Sequence, residues 1–438
     1  MSTPHPLPRR QLLHSLLGLS AWLASPAKAQ IATQSGAAYA YSSSTTGPKS
    51  IQKEAPGRLV VVFLRGAYDG LSALVPHGDA DYYRLRPSIA IAAPDGSPQS
   101  CLKLDATFGL HPAMAALLPL WQQGVLGVIP CAGSPDATRS HFDAQHHWET
   151  GIPGKSSAAS GWLNSLTDMT PGSRALGVGE ANPLILAGRA PVQLVPRGQA
   201  ATRAGSMGDE RTHAALLRLY AGSDPLSQAF RAGADSRLQT SQTLTEAQMQ
   251  AGNNMDTRQM AAADNGAGSA KGLRLDAQHL VTLMRRNPSL RLGFLSAGGW
   301  DTHANQGAAT GALAQNLGLL ADTLVQLRQE FSQANDMVLV LSEFGRTSAE
   351  NGTRGTDHGH GNALWLLGSA VNGGRWHGRW DGLASAQLNE GRDLPVHHDF
   401  RAVLAQVLRR TQGISAAQLD QLFPGYAWDP SLNGLMRV

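Results

Sequence analysis

The chain has 438 residues, of which 42% are apolar and 16% are charged, with 48 Gly, 24 Pro and 2 Cys. The apolar fraction excludes a disordered chain, and two cysteines exclude a disulfide-dense scaffold. The formal charge is +4, but residues 1–29 hold three of the 36 basic residues and none of the 32 acidic ones. The remaining charges nearly balance, so we expect no nucleic-acid partner.

The N-terminus has the pattern of an export signal. Arg9 and Arg10 precede a short apolar run, and Ala27 and Ala29 have the small-residue spacing that a signal peptidase recognises. We predict a twin-arginine-type signal peptide over residues 1–29, cleaved after Ala29, with the twin-arginine export machinery as partner and a periplasmic or secreted destination in a bacterium. The alternative is an amphipathic helix of the folded domain. No run reaches the roughly 20 apolar residues of a membrane span, so no stable membrane anchor is expected.

Beyond a Ser-, Ala- and Gly-rich linker at residues 30–55, apolar runs alternate with amphipathic patterns. Near-continuous apolar runs predict strands buried in a mostly parallel sheet, at residues 58–64, 125–130, 183–186, 292–295, 337–341 and 363–367. Apolar residues spaced by three and four predict helices at residues 111–122, 311–331 and 400–408. Residues 199–275 are poor in apolar clusters and predict a helical insertion. The fold class is therefore α/β, a three-layer sandwich with a mostly parallel central sheet over residues 56–438.

Several common catalytic motifs are missing from the sequence. It contains no G-x-x-x-x-G-K-[ST], G-x-S-x-G, H-E-x-x-H or C-x-x-C. This argues against P-loop nucleotide hydrolases, α/β-hydrolases, the common metalloproteases and zinc ribbons. Cys101 and Cys131 leave two interpretations open, a disulfide in an oxidising compartment or two buried free thiols.

Short polar blocks lie where the predicted strands end, and open α/β sheets bind ligands at that edge. Asp69 follows the first strand and can reach a metal ion there, although Asp-Gly also favours a simple turn. Ser140 can cap the helix that it opens, or act as a nucleophile beside the backbone donors of that helix. Arg346 can clamp an anion or pair with Glu343.

Two glycine-rich blocks carry the donors of a transition-metal site. Asp301 and His303 follow one strand, and Asp357, His358 and His360 lie within four residues of one another. A carboxylate oxygen with imidazole nitrogens suits Zn, Mn or Fe better than Ca. Asp357 has helix capping as its alternative role. His397 and His398, before the last predicted helix, are weaker ligand candidates.

These blocks, in this order, resemble the exported bacterial family called domain of unknown function 1501. The matching stretches are LVVVFLRGAYDGLSALVP, RSHFDAQHHWETG, GGWDTH, VLVLSEFGRTSAENGTRGTDHG and DLPVHHDFRAVLAQVL. That family is similar to the alkaline phosphatase and sulfatase superfamily. The resemblance implies a central sheet with helices on both faces, a metal site at the strand ends, and a Ser, Thr or Cys nucleophile at a helix start.

The resemblance also implies roles for single residues. Asp69 would be the acidic ligand after the first strand, and Ser140 would be the nucleophile. Asp301 and His303 would be the Asp–His pair of one metal ion.

The end of the strand at residues 337–341 admits two alignments with the superfamily. In the first, Glu343 replaces an Asp ligand and Phe344 replaces a His ligand, and the later ligand is His358 or His360. In the second, Asp357 and His358 are themselves the Asp–His pair, displaced by a longer loop. The first alignment keeps the order of the strands, but Phe344 cannot bind a metal ion.

The resulting prediction is an exported, metal-dependent hydrolase of phosphate or sulfate esters. Its substrate would be a small-molecule or polymer ester, and its cofactor a divalent metal ion. Arg65, Arg139 or Arg346 would hold the nonbridging oxygens of the ester. The alternative is a catalytically inactive exported binding or scaffold protein that retains the fold, which the loss of a ligand at Phe344 favours.

Overall fold

The computed structural model describes residues 56–154, 160–251 and 267–437, so the predicted signal peptide and linker lie outside the described residues. The strands β1 to β12 are Leu59–Leu64, Leu74–Val75, Leu102–Lys103, Gly109–Leu110, Leu126–Gly133, Arg174–Gly179, Val192–Pro196, Leu290–Ala297, Met337–Leu341, Asn362–Gly368, Arg375–Trp376 and His398–Asp399. The helices α1 to α11 are Gly70–Ala73, Ala80–Leu85, Leu118–Gln122, His141–Thr150, Trp162–Met169, Glu210–Leu219, Pro225–Ala251, Ala270–Arg286, Ala312–Glu330, Phe400–Thr411 and Ala416–Leu422. Short 3-10 helices are Pro112–Leu117, Leu184–Leu186, Gly198–Thr202, Gly205–Gly208, Ser385–Gln387 and Pro430–Leu432.

The central sheet has the strand order β11-β5-β10-β9-β1-β8-β6-β7, and β12 also pairs with β5. All pairings are parallel except those of β10, which runs antiparallel to both β5 and β9. Because β10 runs the other way, it starts at the edge where its neighbours end. A second, antiparallel sheet has the order β2-β4-β3.

Side chains of β1 alternate between two cores, one on each face of the central sheet. Val60, Val62 and Leu64 pack with α8 and α9 on one face. Leu59, Val61 and Phe63 pack with α5 and α10 on the other. Since strands such as β1 are buried on both faces, they are apolar at every position. The predicted α/β three-layer class with a mostly parallel sheet is confirmed.

Five of the predicted strands form, but the prediction at residues 183–186 is wrong. That run instead forms the 3-10 helix Leu184–Leu186. The prediction missed β6, in which two glycines interrupt the apolar run, and β7, which is mostly half-buried and includes the polar Gln193.

Prolines change one predicted helix, at residues 111–122. Pro112 and Pro119 each lie in a first turn, where a missing N–H costs no hydrogen bond, so a 3-10 helix is followed by the separate helix α3. Within residues 198–251 the structure has two 3-10 helices and the helices α6 and α7. In the described part of the chain, no helix combines the length and the apolar character needed to cross a membrane.

Candidate metal centre

Four side chains converge at the edge of the sheet where the parallel strands end: His141, Asp301, His303 and His358, the His/Asp cluster. The Nε2 atom of His358 lies 3.1 Å from Nε2 of His141 and 3.0 Å from Nε2 of His303. It also lies 3.2 Å from Oδ1 of Asp301, and Nε2 of His303 is 2.9 Å from that same oxygen. Ligand atoms of His141, Asp301 and His358 all lie within 4.8 Å of one another.

Three connections bring these side chains together. His141 is the first residue of α4, which follows β5, and Asp301 and His303 lie in the loop after β8. His358 lies in the loop before β10, and a backbone bridge ties it to Arg346 after β9. All of these segments meet at one edge because β10 is the antiparallel strand.

Glycines let the backbones approach closely behind the cluster. A Cβ atom on Gly355 would lie 2.4 Å from the carbonyl carbon of His303, so no other residue fits there without movement. Gly66 has φ +111° and lies against Asp301, where a Cβ atom would be 2.8 Å from the Asp301 nitrogen. The glycine-rich character of these blocks therefore has a packing reason.

Each imidazole of the cluster has an acceptor on its outer side. Nδ1 of His141 is 2.8 Å from Oε1 of Glu343, and Nδ1 of His303 is 3.1 Å from Oδ1 of Asp357. Nδ1 of His358 is 3.0 Å from the carbonyl oxygen of Arg139. An acceptor at Nδ1 favours the tautomer that carries the proton there, which leaves a lone pair on Nε2 directed into the cluster.

Glu343 and Asp357 therefore contact the cluster through its histidines. Glu343 is fully buried, and its Oε1 also accepts hydrogen bonds from the Gly66 N–H at 2.8 Å and Nε2 of Gln145 at 2.9 Å. Burial raises the pKa of Glu343, but the hydrogen bonds from His141 and Gln145 outweigh it and lower the pKa. Glu343 thus stays ionised and holds His141.

The charges within the cluster are strongly coupled. Nη1 of Arg346 lies 2.6 Å from Oδ1 of Asp301. Burial raises the pKa of Asp301, but hydrogen bonds from His141, His358 and Arg346 bring it well below its usual range. Burial lowers the pKa of His141, but the Asp301 and Glu343 carboxylates outweigh it and raise the pKa to about 9. The two carboxylates therefore favour a positive charge at the centre of the cluster.

Phe344 forms an apolar wall of the cluster. It is buried, and its ring centroid lies 4.8 Å from that of His141 and 5.0 Å from that of His358. The position where the resemblance expects a superfamily histidine thus packs against two imidazoles.

Three predicted site residues are not brought to the cluster. The Asp69 carboxylate is buried in an ion pair with Arg86 at 2.6 Å. Nε2 of His360 is 2.9 Å from the carbonyl oxygen of Ser134. The Arg65 guanidinium is buried between two glutamates, so it is not available to an ester oxygen. In each case a nearer partner satisfies the side chain.

Ser140 is the N-cap of α4. Its Oγ accepts a hydrogen bond from the Asp143 N–H at 3.4 Å, which corresponds to the capping role. Ser140 also directly precedes His141 in the chain.

His141 was not among the predicted site residues. A signal was available: His141 opens a helix directly after a strand, at the same edge as the other blocks.

The chain belongs to a family of proteins of unknown function, DUF1501, whose model matches residues 56–423. No curated protein matches it by sequence. Three solved structures are similar to it at low TM-score. Alkaline phosphatase from the Antarctic bacterium TAB5 is 11% identical, with TM-score 0.36, covering 83% of this chain and 100% of that one. The zinc complex of the C-terminal periplasmic domain of EcEptC from Escherichia coli is 9% identical, with TM-score 0.33, covering 72% and 74%. A mutant of alkaline phosphatase PafA is 11% identical, with TM-score 0.30, covering 67% and 64%.

Proposed function

We propose that this member of the DUF1501 family is an exported, metal-dependent hydrolase of phosphate or sulfate esters, with the His/Asp cluster as its metal site. One observation carries the metal site. Three Nε2 atoms and one carboxylate converge, while each Nδ1 faces an acceptor outside the cluster. Lone pairs this close repel one another unless a proton or a metal ion lies between them, and a metal ion can accept the lone pairs of all four groups at once.

The donor set fits a divalent transition-metal ion. His141, His303 and His358 offer imidazole nitrogens and Asp301 offers a carboxylate oxygen, a mixture typical of Zn, Mn or Fe sites. The outer acceptors orient the imidazoles, as protein partners of metal-bound histidines do. When bound, such an ion would lower the pKa of a neighbouring hydroxyl and balance negative charge on ester oxygens.

The nucleophile that we propose is the hydroxyl of Ser140. It lies at the start of α4, a helix of ten residues, next to His141 in the chain. Backbone N–H groups and the helix dipole favour negative charge at a helix start, so they would stabilise an oxyanion there. The Phe344 ring keeps water away from one side of the cluster.

A second candidate is the catalytically inactive binding or scaffold protein. The observation that favours it is the pairing of the arginines. Arg65, Arg139 and Arg346 each have carboxylate partners, so an ester oxygen would have to compete for them. Ser140 has a sufficient structural role as a cap.

Metal content tests the proposed metal site. The full chain, made without a histidine tag and loaded with Zn²⁺, is dialysed and its metal content measured by mass spectrometry. We expect about one equivalent for the wild type and for His360→Ala, and a large loss for His141→Ala. Less than about a tenth of an equivalent in the wild type would contradict the proposal, since sites of this donor set retain their ions through dialysis.

Two substitutions of Ser140 separate its roles. Ser140→Asn keeps a capping side chain without a hydroxyl nucleophile, whereas Ser140→Ala removes both. With a panel of phosphate and sulfate esters, we expect both variants to lose hydrolysis, and only Ser140→Ala to lose thermal stability. Unchanged hydrolysis in Ser140→Asn would exclude the hydroxyl as nucleophile, and no hydrolysis by the metal-loaded wild type would favour the inactive alternative.

A further inference from the structure

We propose that four buried residues, the relay Asp69, Gln306, Thr356 and Arg346, position the Asp301 carboxylate within the His/Asp cluster. The inference rests on the proposed metal site and assigns these four as positioning residues for it. All four are buried, and each hydrogen-bonds the next.

Arg346 is held on every side of its guanidinium. Nη1 donates to Oδ1 of Asp301 at 2.6 Å, Nη2 to the carbonyl oxygen of Thr356 at 2.6 Å, and Nε to the Thr356 hydroxyl at 3.1 Å. A planar group with three such contacts has one orientation. Arg346 therefore fixes the Asp301 carboxylate rather than remaining available to an anion.

The direction of each hydrogen bond follows from the charge at Asp69. Nε2 of Gln306 donates to Oδ2 of Asp69 at 2.7 Å, which turns the amide oxygen the other way. That oxygen accepts from the hydroxyls of Thr302 at 2.8 Å and Thr356 at 3.0 Å. The single proton of the Thr356 hydroxyl is thus committed to Gln306, so its oxygen presents a lone pair to Nε of Arg346.

Asp69 itself is immobilised from behind. Nη1 and Nη2 of Arg86 lie 2.6 and 3.1 Å from its two oxygens, and the Ser72 hydroxyl donates at 2.7 Å. Burial raises the pKa of Asp69, but Arg86, Ser72 and Gln306 outweigh it and lower the pKa. A fixed negative charge at this end orients the three polar groups between it and Asp301.

The relay gives Asp69 a role in the site without contact with the ion. Oδ1 of Asp301, the oxygen bonded to Arg346, also lies 2.9 Å from Nε2 of His303 and 3.2 Å from Nε2 of His358. The other oxygen, Oδ2, lies 3.5 Å from Nε2 of His141. The Arg346 contact fixes the plane of the carboxylate and so the direction in which both of its oxygens face the imidazoles. A substitution within the relay should therefore weaken the binding of a metal ion even though it changes none of the residues that bind the ion.

Thr356→Val is the most direct test, because it keeps the shape of the side chain and replaces the hydroxyl with a methyl group that cannot hydrogen-bond. The dissociation constant for Zn²⁺ is measured by competition with a chromogenic chelator on the full chain, alongside the thermal unfolding of the metal-free protein. We expect Thr356→Val to bind Zn²⁺ about 10- to 100-fold more weakly, the range for outer partners of metal ligands. Thr356→Ser, which keeps the hydroxyl, should restore most of the affinity.

Thr323→Val is the matched control. The Thr323 hydroxyl is also buried and donates to the Leu319 carbonyl oxygen at 2.8 Å, within α9. This variant should lose a similar amount of stability and bind Zn²⁺ like the wild type. If Thr356→Val does not fold, Arg346→Lys replaces it: it keeps the charge, but one ammonium group cannot make the three contacts, and the same loss of affinity is expected.

The outcomes separate the two proposals. If the wild type binds Zn²⁺ and Thr356→Val binds it with the same affinity, the relay is overturned and the metal site stands. The same conclusion follows for Arg346→Lys where that variant replaces Thr356→Val. Equal losses of affinity in Thr356→Val and Thr323→Val would show a general effect of lost stability and would also overturn the relay. A wild type that binds no Zn²⁺ would overturn the proposed metal site and the relay with it.

Discussion

Replacing Arg65 with Met should destabilise the fold, because Arg65 neutralises two buried carboxylates. Nη1 lies 2.9 Å from Glu149, and Nη2 and Nε lie 2.8 and 3.0 Å from Glu180. Arg65 is only 1% exposed, so water cannot replace these contacts. Removing one partner of a buried ion pair costs about 3–5 kcal/mol, since a charge is left buried without a counter-charge. We expect the free energy of unfolding in urea, followed by circular dichroism, to fall by about that amount.

The deficit of the Arg65→Met variant should increase with pH. Burial already raises the pKa of Glu180 above its ordinary value of 4.5, and the Arg65 charge opposes that rise. Without Arg65 the pKa of Glu180 in the folded state rises further. A carboxyl group with a raised folded-state pKa is neutral in both states below its unfolded pKa and destabilises the fold as pH rises through the folded pKa. The loss of unfolding free energy relative to the wild type should therefore be smaller at pH 5 and larger at pH 8.

Two further variants complete the Arg65 test. Adding Glu149→Gln and Glu180→Gln to Arg65→Met removes the unpaired charges and should recover much of the lost stability. Arg174→Met, at an exposed arginine that begins β6, should change stability by less than about 0.5 kcal/mol. An Arg65→Met protein that unfolds like the wild type but binds ester substrates more weakly would refute this reasoning and support the anion-holding role.

Two further predictions concern buried groups outside the cluster. Burial raises the pKa of Asp276 from 3.8 to about 7, although the Gly198 N–H and Arg197 oppose the rise. The ionisable Asp276 carboxyl then destabilises the fold by about 4 kcal/mol at pH 8 and about half that at pH 5. Asp276→Asn should therefore raise the free energy of unfolding in urea more at pH 8 than at pH 5. An increase in stability that does not depend on pH would argue against a raised pKa. Cys101 and Cys131 are free and buried, and burial raises the pKa of both, that of Cys101 to about 11. A thiol reagent at pH 8 should label neither thiol in the native protein and both after denaturation; no labelling after denaturation would instead indicate a disulfide.

Sequence patterns located five strands with continuous apolar runs and missed β6, in which glycines interrupt the run, and the edge strand β7. The predicted strand at residues 337–341 coincides with β9, because every side chain there is buried and apolar. The edge strand β7 is half-buried and reads V-Q-L-V-P, so it gave no signal. A continuous apolar run predicts a strand that is buried on both faces, whereas a half-buried edge strand such as β7 has no such run.

The same limit applies to the site. Asp301, His303 and His358 could be predicted to lie together because polar residues beside strand ends share one edge of the sheet. Asp69 lies at such a position too, but its carboxylate is bound by Arg86, 17 residues further along the chain. Which side a carboxylate faces depends on such non-local partners, and sequence position does not encode them.

Phe344 was the main sequence argument for an inactive protein, and the structure changes its weight. The argument assumed that a ligand lost at position 344 leaves the site one imidazole short. Instead the start of α4 provides an imidazole beside it, since the ring of His141 packs 4.8 Å from that of Phe344. Glu343, the neighbour of Phe344, holds that imidazole by its Nδ1 atom. The segment after β9 thus supports a histidine from another element instead of contributing its own, so Phe344 alone is no reason to expect an empty site.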